Sequence, residues 1–347
     1  MKAALLKAAK EIVLEEIPVP EISDEEALVE VKYCGICGTD VATYKVPEFF
    51  QPGTFLGHEF SGVIAKVGKN VKGFNVGDRV TATPMYQCGE CDACKHGLPN
   101  LCERMMEGIG CAVGTEYAGA FAKYVRVPIP EKRLYHLPDE VSFEEGALVE
   151  PLATSLHAVR ISNFRTGDYA MVLGVGGIGL GVIAFLKHGG AGLIIATEIS
   201  EKRIELAKKI GADYVVNPQR VSDLKAEILK LTDGKGVDQV FVCTPAPQAF
   251  QSAANLLKYR GQVVLIGLMT QEVPITPVNI NMGELNIQGS LIYTDEYPIV
   301  LDLLKRGALP VKQMITSKIK LGDIVKKGFE KLIVPDCEEA KIIVSLE

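Results

Sequence analysis

Cys88, Cys91, Cys94 and Cys102 stand in the order Cys-x2-Cys-x2-Cys-x7-Cys. Two intervening residues let neighbouring thiolates converge on one ion, and four thiolates close a tetrahedral zinc shell. A closed shell binds no substrate, so the spacing predicts a structural zinc. Four unrelated buried cysteines would not repeat so regularly. An iron–sulfur cluster is one alternative, but ferredoxin runs place Cys-Pro soon after the third cysteine, where Lys95-His96-Gly97 stands here. A zinc-organised nucleic-acid module is another, and it lacks the basic stripe it would need.

A second motif is Gly174-Val175-Gly176-Gly177-Ile178-Gly179, a Gly-x-Gly-x-x-Gly run between an apolar strand pattern and an apolar helix pattern. In that context Gly174 allows the tight turn, Gly176 lets the backbone approach a pyrophosphate, and Gly179 permits close helix–strand packing. The helix N-terminus adds a partial positive charge. Glu198 follows 19 residues after Gly179, at the end of the next apolar run. A carboxylate there accepts hydrogen bonds from the ribose hydroxyls of NAD and repels the 2′-phosphate of NADP. Arg203 could instead hold that phosphate, or stack on adenine. The prediction is NAD.

The elements that must carry these motifs differ along the chain. Residues 1–150 read as mostly β. Runs such as Ala27–Val31, Gly62–Val67 and Arg79–Ala82 lie between turn signals such as Val76-Gly77-Asp78. Near residue 150 the pattern changes to alternation. A strand at 169–174 precedes a helix from Ile178 to His188; a strand at Leu193–Thr197 precedes a helix from Glu201 to Ile210, ended by Gly211. Further strands are predicted at Val215–Val216, Val240–Val242 and Val263–Ile266. This implies a parallel sheet covered by helices on both faces, hence an α/β fold. A helix at Pro298–Lys305 and a last strand at Lys341–Val344, returning to the first part, complete the pattern.

With 347 residues, two domains are expected. A formal net charge of −6 excludes a general affinity for nucleic acid or anionic membranes. No window supplies the roughly 20 apolar residues of a membrane span. Lys7 and Lys10 interrupt the first apolar run, so it does not read as a signal peptide. A cytoplasmic protein is expected. Nine cysteines, four of them clustered, suit metal binding better than a disulfide framework.

Together with these motifs, Cys34-Gly35-Ile36-Cys37-Gly38-Thr39-Asp40, Gly57-His58-Glu59 and Val76-Gly77-Asp78-Arg79-Val80 occur in a familiar order. The chain resembles the zinc-dependent medium-chain dehydrogenases/reductases over essentially its whole length. The resemblance implies a GroES-like, mostly-β catalytic domain (residues 1–152 and 290–347) and a Rossmann domain (residues 153–289). It implies an NAD-linked alcohol dehydrogenase with two zinc ions per chain. Cys37 and His58 match ligands of the catalytic zinc. Glu59 and Glu150 are both candidates to complete its shell; in the polyol branch the first can bind zinc and the second can hold its water. Cys34 is not a ligand in the family. Thr39 matches a proton-relay hydroxyl. Many members carry His two residues after the Asp of this motif, whereas this chain has Ala42, so water or Glu150 would replace that exit. Besides the glycine turn with Gly177 and Ile178, the resemblance implies cofactor contacts at Thr244, Ile266, Gly267, Leu268 and Ile292. Cys111, Cys243 and Cys337 have no role and read as core residues.

Glu150-Pro151-Leu152-Ala153, Tyr293 to Pro298, and Lys327 to Leu332 resemble the 2,3-butanediol dehydrogenase branch. The implied reaction passes a hydride between NAD and a small secondary alcohol or vicinal diol, such as 2,3-butanediol, and its ketone. Sorbitol and threonine dehydrogenases are the near alternatives. In the sorbitol branch an arginine occupies the position of Ile292. A zinc-free quinone reductase or a non-catalytic relative is the alternative of another class, and those lack the ligand set present here. A homo-oligomer, tetramer or dimer, is implied by bacterial relatives.

Overall fold

The structure, a computed structural model, describes residues 1–47, 50–85, 87–105 and 119–346. Cys111 lies outside the described residues. β1 (Lys2–Ala8) and β2 (Glu11–Glu16) form an antiparallel ribbon. β3 (Glu26–Gly35), β4 (Glu59–Val67), β5 (Arg79–Ala82), β6 (Tyr124–Pro128) and β7 (Leu134–His136) follow, each antiparallel to its partner. Ala27, Val29 and Val31 of β3 alternate into a core shared with Phe60 and Ile64 of β4, Val80 of β5 and Val125 of β6. That period of two is the physical signature of a half-buried sheet.

Strand and helix then alternate. β8 (Tyr169–Leu173), β9 (Leu193–Thr197), β10 (Tyr214–Val216), β11 (Val237–Val242), β12 (Leu257–Leu265) and β13 (Asn286–Gly289) make a wholly parallel sheet. Its order is β10-β9-β8-β11-β12-β13. Counted from β8 this is the doubly wound order of a dinucleotide-binding fold, with its switch point between β8 and β11. Neighbouring residues of β8 serve opposite faces: Ala170 and Val172 pack with the helix Gly177–His188, Met171 and Leu173 with Ile228 and Leu256. Both faces are covered, so the strand reads as an unbroken apolar run.

β14 (Ile315–Lys320) and β15 (Lys341–Ser345) join the first sheet, in the order β14-β15-β3-β4-β5-β7 with β6 also on β3. Gly35 is flanked by Glu59 on one side and Ile343 on the other. This register decides what surrounds the site.

Two of the differences from the sequence expectation have a clear local cause. The helix Gly38–Lys45 was not anticipated, because it is set by its cap and not by an apolar stripe: Cys37 caps it, and the Asp40 carboxylate accepts the Cys37 N–H in return. β12 begins at Leu257 and not Val263, because Tyr259 and Arg260 are exposed and Arg260 has φ 63°, which hides the alternation. Among the described residues, no helix is long and apolar enough to cross a membrane.

Candidate active site

In the cysteine lobe, Cys91 caps the short helix Asp92–Lys95, and the turn Pro99–Leu101 brings Cys102 back towards it. Cys88 Sγ lies 3.9 Å from Cys94 Sγ, Cys91 Sγ 4.0 Å from Cys102 Sγ, and all four sulfurs lie within 4.8 Å of one another. A disulfide needs about 2.0 Å. A tetrahedron of zinc–sulfur bonds about 2.3 Å long sets its sulfurs about 3.8 Å apart, so the donor set fits zinc. The Glu90 and Cys91 N–H groups point at Cys88 Sγ (3.4 and 3.3 Å) and lower its pKa to about 6, which favours the thiolate a metal requires.

A second group brings Cys37, His58 and Glu59 within 4.8 Å of one another. Cys37 caps the helix Gly38–Lys45, and its sulfur accepts the Thr39 N–H at 3.5 Å. The Thr39 hydroxyl lies 3.6 Å from its sulfur. His58 immediately precedes β4, and Glu59 opens it. Asp40 Oδ1 stands 3.5 Å from His58 Nδ1, and these two buried atoms have no hydrogen-bond partner. A carboxylate behind an imidazole is the arrangement that orients a metal-binding histidine. Gly35 makes room for Glu59: a Cβ there would fall 2.2 Å from Glu59 Oε2.

Lys341, at the start of β15, donates to both Glu59 oxygens (2.8 and 2.6 Å) and to the Ile36 carbonyl (3.2 Å). The ammonium and the carboxylate are both buried. Glu150 opens the helix Val149–Arg160 beside this group. It is not one of the three groups within 4.8 Å, but its carboxylate acts electrostatically on His58. Burial raises its pKa to about 7, against a smaller lowering influence from the nearby Tyr293 hydroxyl. The same Tyr293 hydroxyl lies 2.9 Å from Thr83 Oγ1. Cys37, Asp40, Glu59 and Glu150 thus gather around Lys341 and His58. Burial opposes charge on His58, yet Asp40, Cys37 and Glu150 outweigh it and raise the His58 pKa well above its ordinary value. Such an excess of anionic donors fits a divalent cation.

At the switch point the glycine turn takes the shape its sequence demands. Gly174 has φ 88°, and a Cβ on Gly179 would meet the Gly174 carbonyl at 2.0 Å. Gly176 faces open space, and Gly177 and Ile178 begin the helix. Glu198 follows β9 directly. It is buried and accepts N–H bonds from Val175 (3.2 Å), Ile199 (2.8 Å) and Ser200 (3.1 Å). Arg203 Nε donates to the Glu339 carbonyl at 3.0 Å, and the guanidinium lies 3.9 Å from Glu198. Thr244 packs against Gly174, and Gly267 lies against the Thr244 carbonyl; Ile266 is buried between them in sequence and Leu268 is exposed. Ile292 is half-buried with φ 53°. A Cβ on Gly177 would lie 3.1 Å from Lys341 Cε, so one lysine touches both the glycine turn and the three-donor group.

Residues 23–139 match the alcohol dehydrogenase GroES-like domain, and residues 177–306 match the zinc-binding dehydrogenase domain. The chain is 37% identical to the (R,R)-butanediol dehydrogenase of Bacillus subtilis (strain 168), over 99% of each chain. It is 35% identical to the sorbitol dehydrogenase of the same organism, over 92% of this chain and 90% of that one. The crystal structure of 2R,3R-butanediol dehydrogenase from Bacillus subtilis superposes with a TM-score of 0.87 at 36% identity, over 99% of each chain. The chain belongs to the zinc-binding alcohol dehydrogenases. It is a zinc-dependent oxidoreductase that works with a nicotinamide dinucleotide. Its α/β architecture, a GroES-like part and a Rossmann-like parallel sheet, is that of the family.

In this alcohol dehydrogenase, three residues of the site escaped sequence reasoning as contributors: Asp40, Lys341 and Tyr293. Lys341 left a trace, since it heads a run in which Lys341, Ile342, Ile343 and Val344 are all buried. A lysine there needs a partner, but the sequence does not say which.

Proposed function

We propose that this enzyme oxidises a small secondary alcohol or vicinal diol, such as 2,3-butanediol, with NAD and catalyses the reverse reduction of the ketone. When bound, zinc supplies a Lewis acid for the alcohol oxygen and NAD supplies the hydride acceptor. Cys37, His58 and Glu59 would hold the catalytic zinc, with Glu150 beside it; Cys88, Cys91, Cys94 and Cys102 would hold the structural one. Thr39 would receive the alcohol proton. Glu150, with a pKa of about 7, can hold or release a proton near neutral pH, which suits the outward route that Ala42 leaves without a histidine. The glycine turn from Gly174 to Gly179, Thr244, Ile266, Gly267, Leu268 and Ile292 would contact the cofactor.

Ile292 carries the choice of substrate. It is half-buried against the apolar core, next to Tyr293 and hence Glu150, and it offers no side-chain donor. Each polyol hydroxyl left unpaired there would cost about 1–3 kcal/mol. A methyl group would instead gain about 0.8 kcal/mol from burial. The Glu198 carboxylate, with Arg203 turned to the Glu339 carbonyl, supports NAD over NADP. The test is catalytic efficiency with 2,3-butanediol, sorbitol and threonine, each with NAD and NADP. Butanediol with NAD should lead. Efficient sorbitol oxidation with poor butanediol turnover would overturn the substrate, and equal use of NADP would overturn the role of Glu198.

The same reading divides the chain at about residues 152 and 290 into a catalytic part (1–152 and 290–347) and a cofactor part (153–289). The unpaired state of the eight described cysteines supports a cytoplasmic enzyme. We further propose a homo-oligomer. β13 is the edge of the parallel sheet, and Val278, Met282 and Ile287 are exposed near it. Light scattering should give a multiple of the chain mass; a monomer at working concentration would refute this.

A further inference from the structure

We propose that Asn100, in the cysteine lobe, is a positioning residue that fixes the turn Leu291–Tyr293 and through it the alcohol-binding side of the site. The inference rests on the reading that this turn lines the substrate pocket. Asn100 is buried in the turn Pro99–Leu101, two residues before Cys102. Its Nδ2 donates to the Leu291 carbonyl at 2.8 Å, across a separation of 191 residues. A carbonyl can only accept, so the partner settles which way the amide points.

The place of this bond in the turn gives it leverage. The peptide between Leu291 and Ile292 is planar, so holding the Leu291 carbonyl also orients the Ile292 N–H. With the rest of Ile292 held by the residues that follow, that orientation sets its φ, which is 53°. A β-branched residue adopts the left-handed region only when its surroundings impose it. The surroundings on each side are visible. Upstream, the Ser290 N–H bonds the Leu265 carbonyl at 2.8 Å. Downstream, Glu296 accepts the Thr294 N–H at 2.6 Å and is itself held by His157 (3.1 Å) and Arg160 (2.8 Å). Between these anchors, Asn100 holds the carbonyl that precedes Ile292. The next residue, Tyr293, bonds Thr83 at 2.9 Å. Thr83 in turn accepts the Met85 N–H at 3.1 Å, shortly before the lobe begins at Cys88. The turn is therefore held at Leu291 by Asn100 of the lobe and at Tyr293 by Thr83, which precedes the lobe, and the first bond gives the four-cysteine lobe a task beyond local folding.

The test compares the full-length parent with Asn100→Asp, which keeps the shape and loses the donor, and Asn100→Ala. Three readouts are taken: metal ions per chain, amide hydrogen exchange over residues 290–296, and KM and kcat with 2,3-butanediol, sorbitol and NAD. The expected result is parent metal content, faster exchange over 290–296, and an alcohol KM raised about 3–10-fold, the range one lost hydrogen bond supplies. The KM for NAD should change less than that for the alcohol. Unchanged exchange and unchanged alcohol KM would overturn the proposal. So would loss of the lobe metal with kcat and both KM values worsening together, since that is a folding role. If the parent prefers sorbitol, only the substrate reading fails, and the shift in KM for sorbitol decides; if it uses neither alcohol, the exchange rates decide alone.

Discussion

Lys341→Met tests the charge balance of the site. The substitution keeps most of the aliphatic stem and removes the ammonium. Glu59 is 1% exposed and Lys341 5%, and the pair is joined at 2.6 and 2.8 Å. The lysine also bonds the Ile36 carbonyl at 3.2 Å. Without it, Glu59 would be a buried carboxylate among Cys37, Asp40 and Glu150, with no cation of its own. Breaking one side of a buried pair costs about 3–5 kcal/mol. For a chain of this size that lowers the melting temperature by on the order of 10 °C. The measurement is thermal melting of metal-stripped parent, Lys341→Met, Glu59→Gln and the double variant in one buffer. The double variant should recover much of the loss, because replacing both partners removes the stranded charge. Zinc added back should raise the melting temperature of Lys341→Met more than that of the parent, since an ion at Glu59 restores positive charge. A metal-free Lys341→Met protein within about 1 kcal/mol of the parent, or single costs that simply add, would refute the reasoning.

Cys37→Ser and Cys91→Ser should separate the two metal groups. Each should retain one zinc ion per chain; Cys37→Ser should melt near the parent and lose turnover, whereas Cys91→Ser should melt lower, because a closed metal shell contributes folding energy directly. A Cys91→Ser protein that binds two ions and melts like the parent would remove the structural role. Glu150 gives a pH signature in metal-stripped protein. Its pKa rises from 4.5 unfolded to about 7 folded, so between those values the unfolded chain has released a proton that the folded one keeps. Stability from this group is therefore present below about pH 4.5 and is lost as pH rises through about 7, a change of about 3 kcal/mol. Glu150→Gln should lack that decline relative to the parent in urea titrations at pH 5 and 8, and parallel pH curves would show that burial does not govern this carboxylate.

What the sequence made legible follows the range of the interactions involved. The cysteine lobe and the glycine turn were readable because each is closed by residues close together in the chain. Cys88 to Cys102 wrap one point through a single short helix and turn, and Gly174 meets Gly179 across one turn of backbone. The strands β9 and β5 and the helix Glu201–Ile210 likewise announce themselves by local period. The partner of Glu59 could not be read this way. Lys341 is 282 residues away and arrives only because β15 pairs with β3 in a register that sets Ile343 opposite Gly35, itself opposite Glu59. A one-residue slip in that register would turn the lysine to the other face. The same holds for Tyr293 on Thr83 and Asn100 on Leu291, separated by 210 and 191 residues.

This division explains why the sequence left open whether Glu59 or Glu150 ligates the zinc directly. Each is an acid beside a motif, and the motif says nothing about what else touches it. In the fold their surroundings differ. Glu59 has a buried ammonium on both oxygens and lies within 4.8 Å of the Cys37 and His58 donors. Glu150 lies outside that group, with a tyrosine hydroxyl and a pKa near neutrality. A carboxylate that stands with a thiol and an imidazole inside one 4.8 Å group suits a ligand. A carboxyl group poised near pH 7 suits proton traffic. Two acids that look alike in sequence thus meet different surroundings, a buried ammonium at Glu59 and desolvation by burial at Glu150, each set by distant chain.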